Sequence, residues 1–368
     1  MSESVSTQPA ASTGSSDLSL KRIPNDLSSE SHSDSLEVTD AARVLIKALR
    51  EHFPELQPTS PLYIRFDDAY LNRFVIARRF QLDEVMLMVK DHLEWFKEFD
   101  VSSIADFKYT ELEQFRAVYP HGYHGVDKIG RPIYIERYSK LNADYIHSIT
   151  TMERLSKYWV QGYERLLYER FPACPKSGNR SCVILDMSSV RLGMFDSRAR
   201  EFLKTVSKIS SDNYPETLGI LFVVNVPSFF SVLYSIAKPM IPAETKRKIH
   251  VVNGKHTKEE LLKHIDASQL PSFLGGECRC DLSGRSPTNA ADTGDHGCLR
   301  SDRGPWHINH RNSTSDFEDF VSCSDGEIMD MHSFHPHVFF DAIEEEQQPR
   351  KKPWWAIFTC GTCKPDII

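Results

Sequence analysis

Long hydrophobic runs are missing from this 368-residue chain, and so is any strong excess of basic charge. No apolar stretch approaches the ~20 residues that a bilayer-spanning helix needs. The net charge is −7, which leaves no basic surface of the kind a polyphosphate backbone requires, so nucleic acid is not an expected partner. Eight cysteines are too few for a disulfide scaffold. The opening residues, MSESVSTQPAASTGSSDLS, lack the apolar core of a secretory signal, and reduced thiols in a cytoplasmic setting are expected. No G-x-S-x-G elbow, no G-x-x-x-x-G-K-S/T loop and no G-x-G-x-x-G turn is present. These absences argue against an α/β-hydrolase, a P-loop enzyme and a dinucleotide-binding enzyme. No catalytic group, cofactor or metal is assigned, and the chain is not expected to be an enzyme. Cys278-x-Cys280, with His296 and Cys298 further on, fits none of the usual zinc spacings and reads as scattered thiols.

What is present is uneven along the chain. Residues 1–60 carry a net charge of −4 and residues 281–368 a net charge of −7, whereas residues 61–280 carry +4. Acidic flanks around a mildly basic centre suit contact with an anionic membrane face. Residues 1–38 are mostly Ser, Thr, Asp and Glu and cannot offset their ordering entropy, so a disordered leader is expected. Thr39-Asp40 then precedes AARVLIKALREHF, a cap followed by a short helix. From Asp68 apolar residues recur at helical spacing: Leu71, Phe74, Val75 and Ala77, then, after a break at residues 80–83, Val85, Met88, Val89, Leu93 and Phe96. Residues 39–116 therefore form a helical lobe.

Beyond that the period changes. Residues 132–135, 182–185, 221–226 and 249–252 are short apolar runs rich in β-branched residues, as strands buried on both faces should be. Helical stretches at 152–170, 196–211 and 228–238 alternate with them. The pattern predicts an α/β domain over 117–280 with a mainly parallel sheet. After Gly275-Gly276 the composition becomes polar, and 281–368 reads as a disordered acidic tail. Its end differs: Arg350-Lys351-Lys352-Pro353-Trp354-Trp355-Ala356-Ile357-Phe358 places three cations before an aromatic-apolar run, the pattern of an interfacial peptide. Docking of that peptide on its own globular domain is the other reading. Cys360-x-x-Cys363 lacks the preceding strand of a redox motif, and S-acylation is the alternative.

Residues 228–241, SFFSVLYSIAKPMI, are apolar on nearly every side. Phe229, Leu233, Ile236 and Met240 form one stripe, and Phe230, Ala237 and Ile241 a second. A helix of this kind is buried in a core or faces lipid. Pro239 stops it.

Several motifs stand in a telling order: Asp127-x-x-Gly130-Arg131-Pro132-x-Tyr134, then Tyr214-Pro215-Glu216-x-x-Gly219, then Thr245-Lys246-Arg247-Lys248, then Leu270-Pro271-x-x-x-Gly275-Gly276. Over residues 60–280 the chain resembles the CRAL-TRIO lipid-binding family, and within it the fungal-type phosphatidylinositol/phosphatidylcholine transfer proteins. The resemblance implies a helical lobe beside an α/β lobe whose apolar pocket holds one phospholipid behind a gating helix. Phe229, Phe230, Leu233, Ile236 and Met240 then belong to the gate. The inositol headgroup is implied to meet Thr245 and Lys248, with Glu216 paired to the Arg78-Arg79 doublet. For phosphatidylcholine the matching residues are Tyr123, Tyr134, Tyr163 and Ser181, whose aromatic faces suit a quaternary ammonium. Val183 and Thr217 depart from the family pattern at that second headgroup.

Two functions follow. One is non-enzymatic transfer of phosphatidylinositol, with phosphatidylcholine or another lipid as the exchanged ligand, at Golgi or endosomal membranes and in the service of a phosphatidylinositol kinase. The alternative is a regulatory module that binds a sterol or other hydrophobic ligand and recruits partner proteins. Thr245, Lys248 and Glu216 favour an anionic headgroup over a neutral ligand.

Overall fold

The structure, a computed structural model, describes residues 36–194, 196–230, 234, 243–280 and 297–310. Helix α1 (Asp40–His52) starts where the Thr39 hydroxyl accepts the Ala42 amide at 3.2 Å, one of the orphan donors of a helix start. It buries Ala42, Leu45, Ile46 and Leu49, a stripe at three- and four-residue spacing. Asp67 caps α2 (Asp68–Ala77) in the same way, accepting the Tyr70 amide at 2.7 Å. Between α2 and α3 (Leu82–Glu98), Arg79 and Phe80 take φ values of 49° and 60° and turn the chain back, at the break the spacing predicts. Asn72 donates to the carbonyls of Leu36 (2.9 Å) and Glu37 (3.2 Å), so the last residues of the expected leader are held in place. After α4 (Leu112–Val118) the chain enters a sheet.

The sheet has five strands in the order β1-β2-β3-β4-β5: β1 (His121–Val126), β2 (Pro132–Arg137), β3 (Ser181–Asp186), β4 (Leu218–Val224) and β5 (Ile249–Val252). The β1–β2 pair is antiparallel and the other three pairings are parallel. Four of the strands are those the apolar runs predict. Strand β1, HGYHGV, offers no such run and is an addition. Alternate side chains divide between the two faces, as the pleat requires. Ile133, Ile135, Cys182, Ile184, Phe222 and Val224 pack one way, with Leu261 and Ile265 at the final helix (Thr257–His264). Tyr134, Val183, Leu185, Leu221 and Val223 pack the other way.

That second face is covered by α5 (Ala143–Ile149), α6 (Met152–Arg165) and α7 (Ser197–Asn213) through Ile146, Leu155, Trp159, Phe202 and Val206. Helices α6 and α7 have a second buried side. Their Val160, Tyr163 and Ile209 join the core of the helical lobe. After β4 a helix begins at residue 228; Phe230 is buried on the second sheet face and Phe229 packs partly against it. Leu233, Ile236 and Met240 lie outside the described residues, as do 311–368 with the basic-aromatic segment, Cys360 and Cys363.

The expected boundary at 281 needs a correction. Residues 297–310 pack back on the domain, with Cys298, Leu299, Asp302 and Trp306 buried. Gly125 donates to the Arg303 carbonyl at 2.6 Å, so the segment runs along β1. A Cβ on Gly122 would meet the Leu299 carbonyl oxygen at 2.1 Å, and only glycine admits that approach. Arg170, fully buried, donates to Asp302 at 3.1 and 3.2 Å. The composition is polar, but a few anchors rather than an apolar stripe hold this segment.

Candidate functional site

Parallel strands present all their N-terminal ends at one edge of a sheet. Arg180, Glu216 and Lys248 each stand one or two residues before β3, β4 and β5, and topology therefore gathers them. Arg180 Nη2 donates to Glu216 Oε2 at 3.0 Å, and Lys248 Nζ donates to the same oxygen at 3.2 Å. Glu216 sits at φ 58°, in the left-handed region, where the Tyr214-Pro215-Glu216 turn leads from α7 into β4. Tyr214 anchors that turn. Its ring stacks on Tyr163 at 4.4 Å, and its hydroxyl donates to Glu164 Oε1 at 2.8 Å.

A third cation holds the turn from the helical lobe. Arg73 Nη1 donates to the Glu216 carbonyl and Nη2 to the Asn179 carbonyl, both at 3.0 Å. Burial pushes its guanidinium down to about 10, still charged at neutral pH. Arg180 and Lys248 thus share one carboxylate, Arg73 holds the backbone of the same turn, and Lys246 and Arg247 stand on the short helix α8 (Ala243–Lys248). Cationic donors gathered at one strand edge are the groups that charge-assisted phosphate binding uses. Thr245 lies three residues before Lys248 on that helix.

The Arg78-Arg79 doublet is not the partner of Glu216. Arg78 is the C-cap of α2, its Nη1 reaching only the Ala77 carbonyl at 3.5 Å, and Arg79 is exposed in the left-handed reversal. The helix presents Arg73, more than one turn earlier, to the α/β lobe, and Arg180 supplies the carboxylate contact. Charged residues on an amphipathic helix all look alike in sequence, which hides Arg73. Arg180 lies just before the β3 run with no motif of its own.

The second set divides. Tyr123 and Tyr134 are cross-strand partners on β1 and β2, with ring centroids 5.1 Å apart. Tyr163 belongs instead to the helical-lobe core, against Tyr214. The cation over the Tyr123 ring is Arg170, 4.4 Å from the centroid. Ser181 is buried at the start of β3 and donates to the Thr217 carbonyl at 3.0 Å.

Near these rings is a network that sequence reasoning misses. Glu136 is buried on β2 and accepts from the hydroxyls of Tyr119 (2.5 Å) and Tyr138 (2.8 Å); burial pushes its carboxyl up to about 7. His121 lies between the Tyr119 carbonyl and the Tyr158 hydroxyl, each 2.6 Å away, and burial lowers it to about 3. Among the described residues two groups could hold a metal ion: His124 with Cys278, Cys280 and Cys298, and the partly exposed His250, Glu260 and His264.

Residues 116–276 match the CRAL/TRIO domain. Two Arabidopsis thaliana proteins, named phosphatidylinositol/phosphatidylcholine transfer proteins SFH4 and SFH9, are 42% and 39% identical over 64% and 66% of this chain. The chain spans only 37% and 41% of their lengths. The Sec14 cytosolic factor of Schizosaccharomyces pombe is 37% identical over 66% of this chain and 81% of its own length. The crystal structure of Sfh5 superposes with a TM-score of 0.49 at 19% identity, over 68% of this chain and 93% of that one. The matched domain and a Sec14 relative of which four-fifths is covered at 37% identity show that this chain belongs to the CRAL-TRIO family, in its Sec14-type branch.

Proposed function

We propose that the chain binds one phospholipid at a time and exchanges it at membrane surfaces without catalysis, with phosphatidylinositol as the principal ligand. The observation that carries this reading is the cation cluster at the strand edge: Lys248 and Arg180 share one Glu216 oxygen, at 3.2 and 3.0 Å, with Arg73 behind the same turn. An inositol phosphate diester would compete with Glu216 for Lys248. Thr245 completes the headgroup set in this reading. The acyl chains would enter where the gate begins at Phe229 and Phe230, by parting Phe230 from the apolar cluster it joins on the second sheet face.

Energetics favour exchange at a bilayer. Each buried CH₂ is worth ~0.8 kcal/mol, so one sixteen-carbon chain carries roughly 12 kcal/mol and cannot leave for water. Opening against a membrane nearly cancels that cost. In this account the protein works at Golgi or endosomal surfaces and hands phosphatidylinositol to a lipid kinase. Phosphatidylcholine is the candidate second lipid, through Tyr123, Tyr134 and Ser181, although Arg170 already occupies one aromatic face.

The test is transfer of labelled phosphatidylinositol between liposomes. Lys248→Ala is expected to reduce it to background while circular dichroism stays unchanged. Full transfer by the variant would remove Lys248 from the headgroup site.

A further inference from the structure

We propose that His124, Cys278, Cys280 and Cys298 form a structural zinc site that clips the returning segment 297–310 to the lipid-binding lobe. The four come from three stretches far apart in sequence. His124 is on β1, Cys278 and Cys280 follow the Gly275-Gly276 closure of the domain, and Cys298 opens the returning segment. Their ligand atoms all lie within 4.8 Å of one another, and all but Cys280 are buried. Cys278 Sγ is 3.6 Å from Cys280 Sγ, and Cys280 Sγ is 4.0 Å from His124 Nδ1.

These separations distinguish the chemistries. A disulfide brings its sulfurs to about 2.05 Å. A tetrahedral ion with metal–sulfur bonds of about 2.3 Å and a metal–nitrogen bond of about 2.0 Å holds sulfurs ~3.8 Å apart and sulfur and nitrogen ~3.6 Å apart. Three thiolates and an imidazole are the soft donor set of a closed zinc site, whereas calcium and magnesium require oxygen. The charge also balances. Three thiolates around a divalent cation leave −1, and Arg303 Nη1, 3.0 Å from Cys278 Sγ, offsets it.

The surroundings are rigid enough to present such a set. The Cys278 amide donates to the Leu270 carbonyl at 3.1 Å, and its carbonyl accepts from Ser272 at 2.9 Å. Ser301 Oγ donates to the Cys298 carbonyl at 2.8 Å and lies 3.1 Å from His124 Nδ1, a contact that metal binding through Nδ1 would replace. Binding would release the thiol protons to solvent and fix the segment that carries Asp302 and Trp306 to Arg170 and Tyr123. The spacing hid the site because its histidine is His124, more than 150 residues upstream of the cysteines, and not His296.

The experiment is metal analysis of the full chain, produced with zinc in the medium and purified under reducing conditions. One equivalent of zinc per chain is expected. Cobalt added to the stripped protein is expected to give the visible d–d bands of a tetrahedral site with thiolate-to-cobalt charge transfer. Cys298→Ser and His124→Ala should reduce zinc from one equivalent to a trace. His124→Cys, which completes a four-thiolate set, should retain it, separating ligand loss from misfolding. Absence of stoichiometric metal before and after reconstitution with zinc alone overturns the assignment. So does a peptide map that joins Cys280 to Cys278 or Cys298 by a disulfide, or a zinc content unchanged in Cys298→Ser.

Discussion

Single buried titratable residues give this protein a pH signature. His92 bridges Asn213 Oδ1 (3.0 Å) and the Tyr70 hydroxyl (2.9 Å), and burial pushes it down to about 4; His121 falls to about 3 for the same reason. Both stay neutral in the fold while the unfolded chain protonates them below about 6.5, so stability is lost as pH falls from there towards 4. Glu136 acts in the opposite sense. Its folded value of about 7 lies above the unfolded one, so its contribution is complete at acid pH and is lost as pH rises through about 7. Two histidines outweigh one carboxyl between pH 4.5 and 6.5. Denaturant midpoints are therefore expected to rise across that interval and to peak near neutrality. Glu136→Gln should remove this opposing loss and steepen the rise from pH 4.5, a difference that grows to ~3 kcal/mol by about pH 7. A flat profile from pH 4 to 7 in the parent chain would contradict the assigned burial. At this scale the sequence is partly legible: the Tyr-Pro-Glu step singles out Glu216, which the fold pairs with Lys248, but nothing in an isolated sequence says that Arg73 and Arg180 are its partners. That follows from which helix face and strand end meet in three dimensions.

Elements were legible where period and composition agree. Strands β2 to β5 are continuous apolar runs, and α1 to α3 carry stripes at helical spacing, with a side-chain cap in front of α1 and α2. Strand β1 escapes because His and Gly are poor strand formers; its pairing with β2 and its contact with the returning segment make it a strand. The segment 297–310 escapes for a related reason. Its hold depends on Asp302 meeting Arg170, on the Trp306 Nε1 donating to the Asp302 carbonyl at 2.9 Å, and on glycines that let backbones approach. Such anchors leave no periodic trace. Asp302→Ala takes the carboxylate from a fully buried guanidinium and should cost about 3–5 kcal/mol. Thermal unfolding checks it, and a variant as stable as the parent would mean that the segment contributes nothing to the fold. If the segment is a clip, new tryptic cleavage after Arg300 and Arg303 should accompany the loss.

The whole molecule combines an apolar sheet face, a cation cluster at the strand edge and a mildly basic centre between acidic flanks. The proposed exchange has the molecule meet a bilayer, and the stretch 350–358 carries the basic-aromatic sequence pattern of an interfacial peptide. Deleting 350–368 is expected to reduce co-sedimentation with anionic liposomes while the melting temperature stays unchanged; equal co-sedimentation would remove the stretch from the account. The cargo itself is the most direct question. Protein made in eukaryotic cells and extracted for mass spectrometry should yield phosphatidylinositol in near-stoichiometric amount, with Lys248→Ala depleted of it. Extracts that contain sterol and no phospholipid, or no lipid at all, would contradict the central claim.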